Sequence, residues 1–201
     1  MNFETLRKSV AECRMCELYK TRNALVLDDC DEKVDIFLMG EAPGGHEDTV
    51  SGKPFTGDAG KNLRDFLRSI GLSRNKLYIG NTVKCRPVKP SPRGRYKQYT
   101  NRRPTRQEIK LCSKWLFKEL EIIGPKVAVA LGGVPLSIVT GKNTPLKDFH
   151  GKEIFWQEKK LPVFVLYHPA AVTYNPRLKE TYHRDLEKLK EFLTKHDIGN
   201  I

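Results

Sequence analysis

The sequence predicts an α/β domain built on a mostly parallel sheet, and three observations carry that expectation. Four short apolar runs rich in β-branched residues alternate with longer amphipathic segments. The ends of several segments are marked by capping and turn residues. No repeat, low-complexity tract or linker divides the 201 residues, so one domain spanning 1–201 is expected, large enough to bury a core without staples.

In chain order, "MNFETLRKSVAEC" reads as an amphipathic helix with charges throughout rather than a secretory h-region, so a cytoplasmic, nucleoid-associated protein without a targeting signal is expected. "VDIFLMG" (34–40) is apolar on both faces, as a strand buried in a parallel sheet must be. "GDAGKNLRDFLRSIG" (57–71) follows as a helix, and "KLYIGNTV" (76–83) as the second strand. "TRQEIKLCSKWLFKELEIIG" (105–124) opens with a capping box, Thr105 and Glu108, and stops at Gly124-Pro125. "KVAVALG" (126–132) is the third strand, "VPLSIVTG" (134–141) a short helix, and "LPVFVLYHP" (161–169) the fourth strand. A charged helix over 177–195 ends the pattern. No run approaches the roughly 18 apolar residues that a membrane span requires, so no membrane partner is expected.

Each strand is followed by punctuation: "GEAPGG", "NTVKCRP", "LGG" and "YHPAA". In open parallel sheets ligands bind beyond the carboxyl ends of the strands. Glu41, Asn81 and His168, distant in sequence, are therefore expected to converge at one edge, although turn formation and capping explain each of these residues singly.

Lys and Arg outnumber Asp and Glu by 36 to 24, a formal charge of +12 that favours polyanionic partners, nucleic acid first. The distribution sharpens this. From 84 to 106 there are nine basic residues and no acid, interleaved with Tyr96 and Tyr99, which reads as a DNA-facing loop at about 86–104. Its phosphate contacts are expected from Arg86, Arg93, Arg95, Lys97, Arg102 and Arg103.

Cys13 and Cys16 form a C-x2-C pair at the end of the first helix, Cys85 lies just past the second strand, and Cys112 sits within the 105–124 helix. A four-thiolate site could close around the basic loop, leaving Cys30 over. Spacing does not separate zinc from iron and sulfur, and buried free cysteines remain the alternative.

Taken together, "CRMC", "GEAPGGHED", "GKPFTGDAGKNL", "YIGNTVKCRP", "NRRPTRQEIKLC", "PKVAVALGG" and "YHPAA" resemble the iron-sulfur uracil-DNA glycosylases of family 4, typical of thermophilic archaea and bacteria. The resemblance covers nearly the whole chain. It implies a three-layer α/β sandwich with a central four-stranded parallel sheet, and a 4Fe-4S cluster on Cys13, Cys16, Cys85 and Cys112. It also implies removal of uracil from single- or double-stranded DNA, in base excision repair, by a monomer that meets a replication clamp. The segment 88–100 is longer than the compact family form, and "EDTVSGKPF" carries an extra residue before its Phe. A non-catalytic iron-sulfur DNA-binding protein on the same fold is the rival expectation. Relatives that trap the sugar covalently use a His in the basic loop, and residues 88–105 contain none.

The resemblance also implies roles, and chemistry supports them. Extruded uracil needs a stacking platform, Phe55, which sits between turn-formers in "GKPFTG" rather than on a periodic apolar face. Asn81 has one amide donor and one acceptor, matching uracil O4 and N3-H and mismatching cytosine. His168 is the expected donor to the O2 of the leaving uracil anion. Glu41 is the carboxylate for the attacking water, with Ala42 where other branches of the superfamily keep an Asp. The backbone at Gly40, Glu41, Ala42 and Pro43 lines the base, and Glu47 either excludes the methyl group of thymine or caps a turn.

Overall fold

The computed structural model describes residues 2–29, 33–93, 96 and 98–198. In chain order its elements are α1 (Phe3–Ala11), β1 (Ile36–Gly40), α2 (Asp58–Ser69), β2 (Leu77–Asn81), β3 (Val88–Pro90), β4 (Tyr99–Asn101) and α3 (Arg106–Ile123). β5 (Val127–Leu131), α4 (Gly133–Thr140), β6 (Lys152–Trp156), β7 (Leu161–Leu166), α5 (Ala170–Tyr174) and α6 (Leu178–Lys195) follow. The main sheet runs β2-β1-β5-β7-β6. Its first four strands are the expected ones and are mutually parallel, while β6 adds an antiparallel edge.

Every position of β1, β2 and β5 is buried, which is why these runs show no polar alternation. The period of two instead sorts residues between two cores. Ile36 and Leu38 face Leu63 and Leu67 of α2 and Leu186, Leu189 and Leu193 of α6. Phe37 and Met39 face Leu116, Leu120 and Ile123 of α3. Helices thus cover both faces, giving three layers, and each buried Leu, Ile or Phe contributes about 1.5–3 kcal/mol relative to an exposed one. α1 packs on α3, and its Leu6 and Val10 join a third cluster that contains Cys85 and Cys112.

α3 begins as its sequence dictates. Glu108 N donates to Thr105 Oγ1 at 3.2 Å, Thr105 N donates to Glu108 Oε2 at 2.7 Å, and Gly124 ends the helix at φ 58°. Among the described residues of the basic segment before it, β3 and β4 pair antiparallel, Val88 opposite Asn101. Among the described residues no helix is long and apolar enough to cross a membrane.

Candidate active site

The carboxyl ends of β1, β2 and β7 bring Glu41, Asn81 and His168 to one cavity of about 420 Å³, which Phe55 and Glu47 also line. Thr82 N donates to Gly40 O at 2.9 Å and Val83 N to Glu41 O at 3.0 Å, so the β1–β2 ladder continues past the sheet and fixes both turns together. Gly40 is the floor between them. A Cβ there would lie 2.2 Å from Asn81 Oδ1 and 2.9 Å from Phe55 Cε2, so only glycine admits both side chains.

Phe55 occupies the left-handed region, φ 54°, where a bulky residue is strained unless its surroundings hold it. Two groups do so. Gly60 lets the Phe55 backbone lie directly against α2, since a Cβ at Gly60 would meet Phe55 O at 1.7 Å. Arg64 Nη1 donates to the same carbonyl at 3.3 Å. The Phe55 ring then stands 5.5 Å from the His168 ring, their planes inclined by 34°.

The polar groups are pre-set. Asn81 is 4% exposed, and its Oδ1 is buried without a hydrogen-bond partner among the described residues. His168 Nδ1 accepts from Ala170 N at 3.2 Å, so the proton of the neutral ring sits on Nε2. Burial pushes this imidazole down from 6.5 to about 4 and keeps it neutral near pH 7. Burial raises the Glu41 carboxyl, an effect that the charge of Arg103 opposes. Glu47 accepts from Gly57 N through Oε1 at 3.0 Å, capping the start of α2 while its side chain lines the cavity.

The hairpin closes one side of the cavity through Tyr96, Asn101 and Arg102. Tyr96 presses on Gly45, where a Cβ would lie 2.1 Å from its ring. The sequence marked Tyr96 only as an aromatic among cations, and nothing in its spacing shows that it turns inward. α5 supplies the opposite rim, where Tyr174 is 87% exposed.

The expected phosphate contacts divide. Arg93 and Arg103 are exposed. Arg86 is 3% exposed, donates through Nε to Asn101 Oδ1 at 2.7 Å and lies over the Tyr96 ring, so it braces the hairpin and presents no charge to solvent. Arg102 spends its fork on Glu108, at 2.8 and 2.6 Å, and its Nε on Val88 O. Arg95 and Lys97 lie outside the described residues, as does Cys30.

Cys13, Cys16, Cys85 and Cys112 line one small cavity of about 10 Å³, and none is in a disulfide. Among the described residues no group of three or more Cys, His, Asp or Glu side chains is drawn tightly enough to hold a metal ion. Three of the sulfurs already accept hydrogen bonds: Cys13 from Trp115 Nε1 at 3.4 Å, Cys112 from Lys84 N at 3.2 Å and Cys85 from Arg22 Nη1 at 3.8 Å. Burial pushes the Cys85 thiol up to about 11 and the Cys112 thiol to about 12.

Residues 27–192 match the family model for the uracil DNA glycosylase superfamily. A type-4 uracil-DNA glycosylase of Archaeoglobus fulgidus is 38% identical over 96% of this chain and 94% of its own length. One from Thermotoga maritima is 36% identical, covering 96% of this chain and 95% of the relative. One from Saccharolobus solfataricus is 36% identical, covering 98% and 89%.

Proposed function

The chain belongs to the uracil DNA glycosylase superfamily, and from that premise we propose that it excises uracil from DNA by hydrolysing the N-glycosidic bond of an extruded nucleotide. The observation that carries this reading is that Asn81, one of the residues lining a cavity of about 420 Å³ at the carboxyl edge of the sheet, keeps a buried Oδ1 with no partner among the described residues. A buried acceptor left unmade is costly, so the site is built for a ligand that donates there.

Uracil meets that requirement. Its N3-H donates to Asn81 Oδ1 and its O4 accepts from the amide nitrogen, whereas cytosine offers an acceptor at N3 and a donor at N4. Phe55 carries the face of the base. As the bond to the sugar lengthens, negative charge collects on the base, and the neutral Nε2-H of His168 stabilises it at O2. Glu41, whose carboxyl burial raises, takes the proton of the attacking water at its carboxylate. The backbone of Gly40, Ala42 and Pro43 lines the base, and Glu47, held by Gly57 N, shapes the cavity wall against the methyl group of thymine.

The DNA strand runs beside the hairpin, whose exposed Arg93, with Arg103 after it, meets phosphates. Cys13, Cys16, Cys85 and Cys112 would hold a 4Fe-4S cluster, which would supply a covalent tie between the end of α1, the turn after β2 and α3. The donor set supports this. Four free thiols lining one cavity are the set that such a cluster takes, one thiolate per iron. One domain over 1–201, a monomer, and contact with a replication clamp complete the proposal, and gel filtration with and without a clamp checks the last two.

The test is incubation of purified protein with matched oligonucleotides carrying one uracil or one thymine, followed by alkaline cleavage. Scission at uracil and none at thymine is expected. An intact uracil strand that nevertheless binds would replace this reading with a non-catalytic DNA-binding protein.

A further inference from the structure

We infer that Lys84 is the positioning residue of Asn81: its buried ammonium, neutralised by Glu119, grips the Asn81 backbone carbonyl and so aims the amide that reads the base. This rests on the proposed reading of the cavity. Lys84 is 1% exposed and Glu119 0%. Lys84 Nζ donates to Asn81 O at 2.5 Å and to Glu119 Oε2, while Glu119 Oε1 accepts from the Tyr78 hydroxyl at 3.0 Å.

The local sequence is shaped around this pair. Gly80 leaves a hollow in β2, since a Cβ there would stand 2.8 Å from Glu119 Oε2 and 2.5 Å from Phe37 Cζ. A larger residue would push the carboxylate away from Lys84. Buried ion pairs are often matched or bettered in stability by apolar residues of equal volume, so stability alone is a weak reason to keep one. Geometry gives a better one.

Asn81 is the last residue of β2, an edge strand with a neighbour on one side only. The peptide unit that joins it to Thr82 is fixed at both ends. Its carbonyl accepts from Lys84 Nζ, and its N-H donates to Gly40 O at 2.9 Å, to which the Thr82 hydroxyl adds a second bond at 2.8 Å. With that unit clamped, the Cα–Cβ bond of Asn81 has one direction. The backbone N-H of Lys84 meanwhile donates to Cys112 Sγ at 3.2 Å, so one residue joins the thiol cage to the base reader.

A positioning role predicts a change in discrimination as well as in rate. The Lys84→Met/Glu119→Gln pair removes the clamp with little change of volume, keeps an acceptor for Tyr78 and leaves no buried charge unpaired. Lys84→Arg keeps a cation but displaces it. Tyr78→Phe loosens the same network without touching Asn81 and serves as the structural control. Thermal melting and single-turnover cleavage of uracil and cytosine oligonucleotides are measured for all. In each Lys84 variant that folds, the uracil-to-cytosine rate ratio should fall by about ten- to hundredfold, the usual cost of misplacing a group by about 1 Å. Tyr78→Phe should melt earlier with its ratio intact. A wild-type ratio in a folded Lys84 variant overturns the inference, whereas a wild-type protein that leaves uracil uncut overturns the function on which it rests.

Discussion

The Phe55 and His168 rings stand 5.5 Å apart at 34°, although Phe55 follows β1 through a positive-φ turn and His168 follows β7, with β5 lying between the two strands. Gly60, which lets the Phe55 backbone rest on α2, and Arg64, which donates to its carbonyl, hold the first ring in place. In the proposed reading, stacking and leaving-group stabilisation therefore share one scaffold.

The first prediction follows from that contact. Gly60→Ala should raise the intrinsic helix propensity of α2 and still impair the enzyme, because the new Cβ would fall 1.7 Å from Phe55 O and displace the ring. Phe55→Ala should lose the stacking term outright, about 1–3 kcal/mol, or roughly five- to 150-fold in kcat/KM. Steady-state cleavage of a uracil oligonucleotide measures both, and a Gly60→Ala enzyme with normal kcat/KM would detach the ring from its proposed support.

His168 gives a pH dependence whose sign is fixed by burial. Its folded value, about 4, lies below the 6.5 of a free imidazole, so the unfolded chain takes up the proton first. Stability from this group is full above about pH 6.5 and is lost as pH falls toward 4, by about 3 kcal/mol at most. His168→Gln should flatten that acid limb of the melting curve. It should also slow uracil cleavage by about 10²- to 10³-fold, as removal of one oxyanion donor does. Wild-type activity should stay level between pH 6 and 8 as far as His168 is concerned. A decline tracking deprotonation near 6.5 would show that the imidazolium is the working form instead.

The proposed reading separates cations of the hairpin that would meet DNA from cations that brace it. Arg93→Ala with Lys89→Ala removes two exposed charges and should reduce the slope of log K against log salt by up to about 2, leaving the melting temperature unchanged. Arg86→Ala should instead lower the melting temperature and cleavage together, because it frees Asn101 and Tyr96 at the cavity wall. A salt slope that responds to Arg86 and not to the exposed pair would reverse the assignment.

How much of this was legible beforehand depends on whether a residue's neighbours in sequence are its neighbours in space. β1, β2, β5 and β7 announce themselves because apolar runs buried on both faces have no other soluble home. β6 does not: "KEIFW" carries two charges, and its first two residues are exposed, the mark of an edge. Glu41, Asn81 and His168 were legible because strand ends in a parallel sheet share one edge. Lys84 and Glu119 were not, since charged residues in a sequence read as surface and only the hollow at Gly80 shows where they go. Arg86 misled for the same reason, being counted with the exposed basic strip. Gly60 offered a faint signal, a glycine in the first turn of a helix, where its cost asks for a close approach.

The thiol cage predicts a colour. Purified in air, the protein should be brown, with broad absorption near about 400 nm from iron-sulfur charge transfer. Substituting Cys85 or Cys112 should bleach it and lower the melting temperature, since both lie in the apolar cluster of α1 and α3. A colourless protein with one zinc per chain sinks the cluster.

Asn81→Asp is the most discriminating substitution. The carboxyl occupies the volume of the amide, so Gly40 still admits it and Phe55 keeps its place. In the ionised form the donor to uracil O4 is lost, and the carboxylate faces that oxygen across a buried wall. Burial opposes ionisation, raising the new carboxyl toward neutral pH, so in its protonated form the substituted side chain offers one hydroxyl donor and one carbonyl acceptor. Those match N3 and the N4 amino group of cytosine. Uracil cleavage should therefore fall by about two orders of magnitude or more, as when a hydrogen-bonding site loses its complement, while slow cytosine cleavage emerges. The cytosine activity should grow as pH falls toward 5, because the protonated acid is the competent form. His168→Gln, by contrast, should slow cleavage without changing which base is chosen. Single-turnover rates on U and C oligonucleotides across pH 5–8 separate the two roles. An Asn81→Asp enzyme that still prefers uracil by the wild-type margin would mean that the base is read by some other group in the cavity.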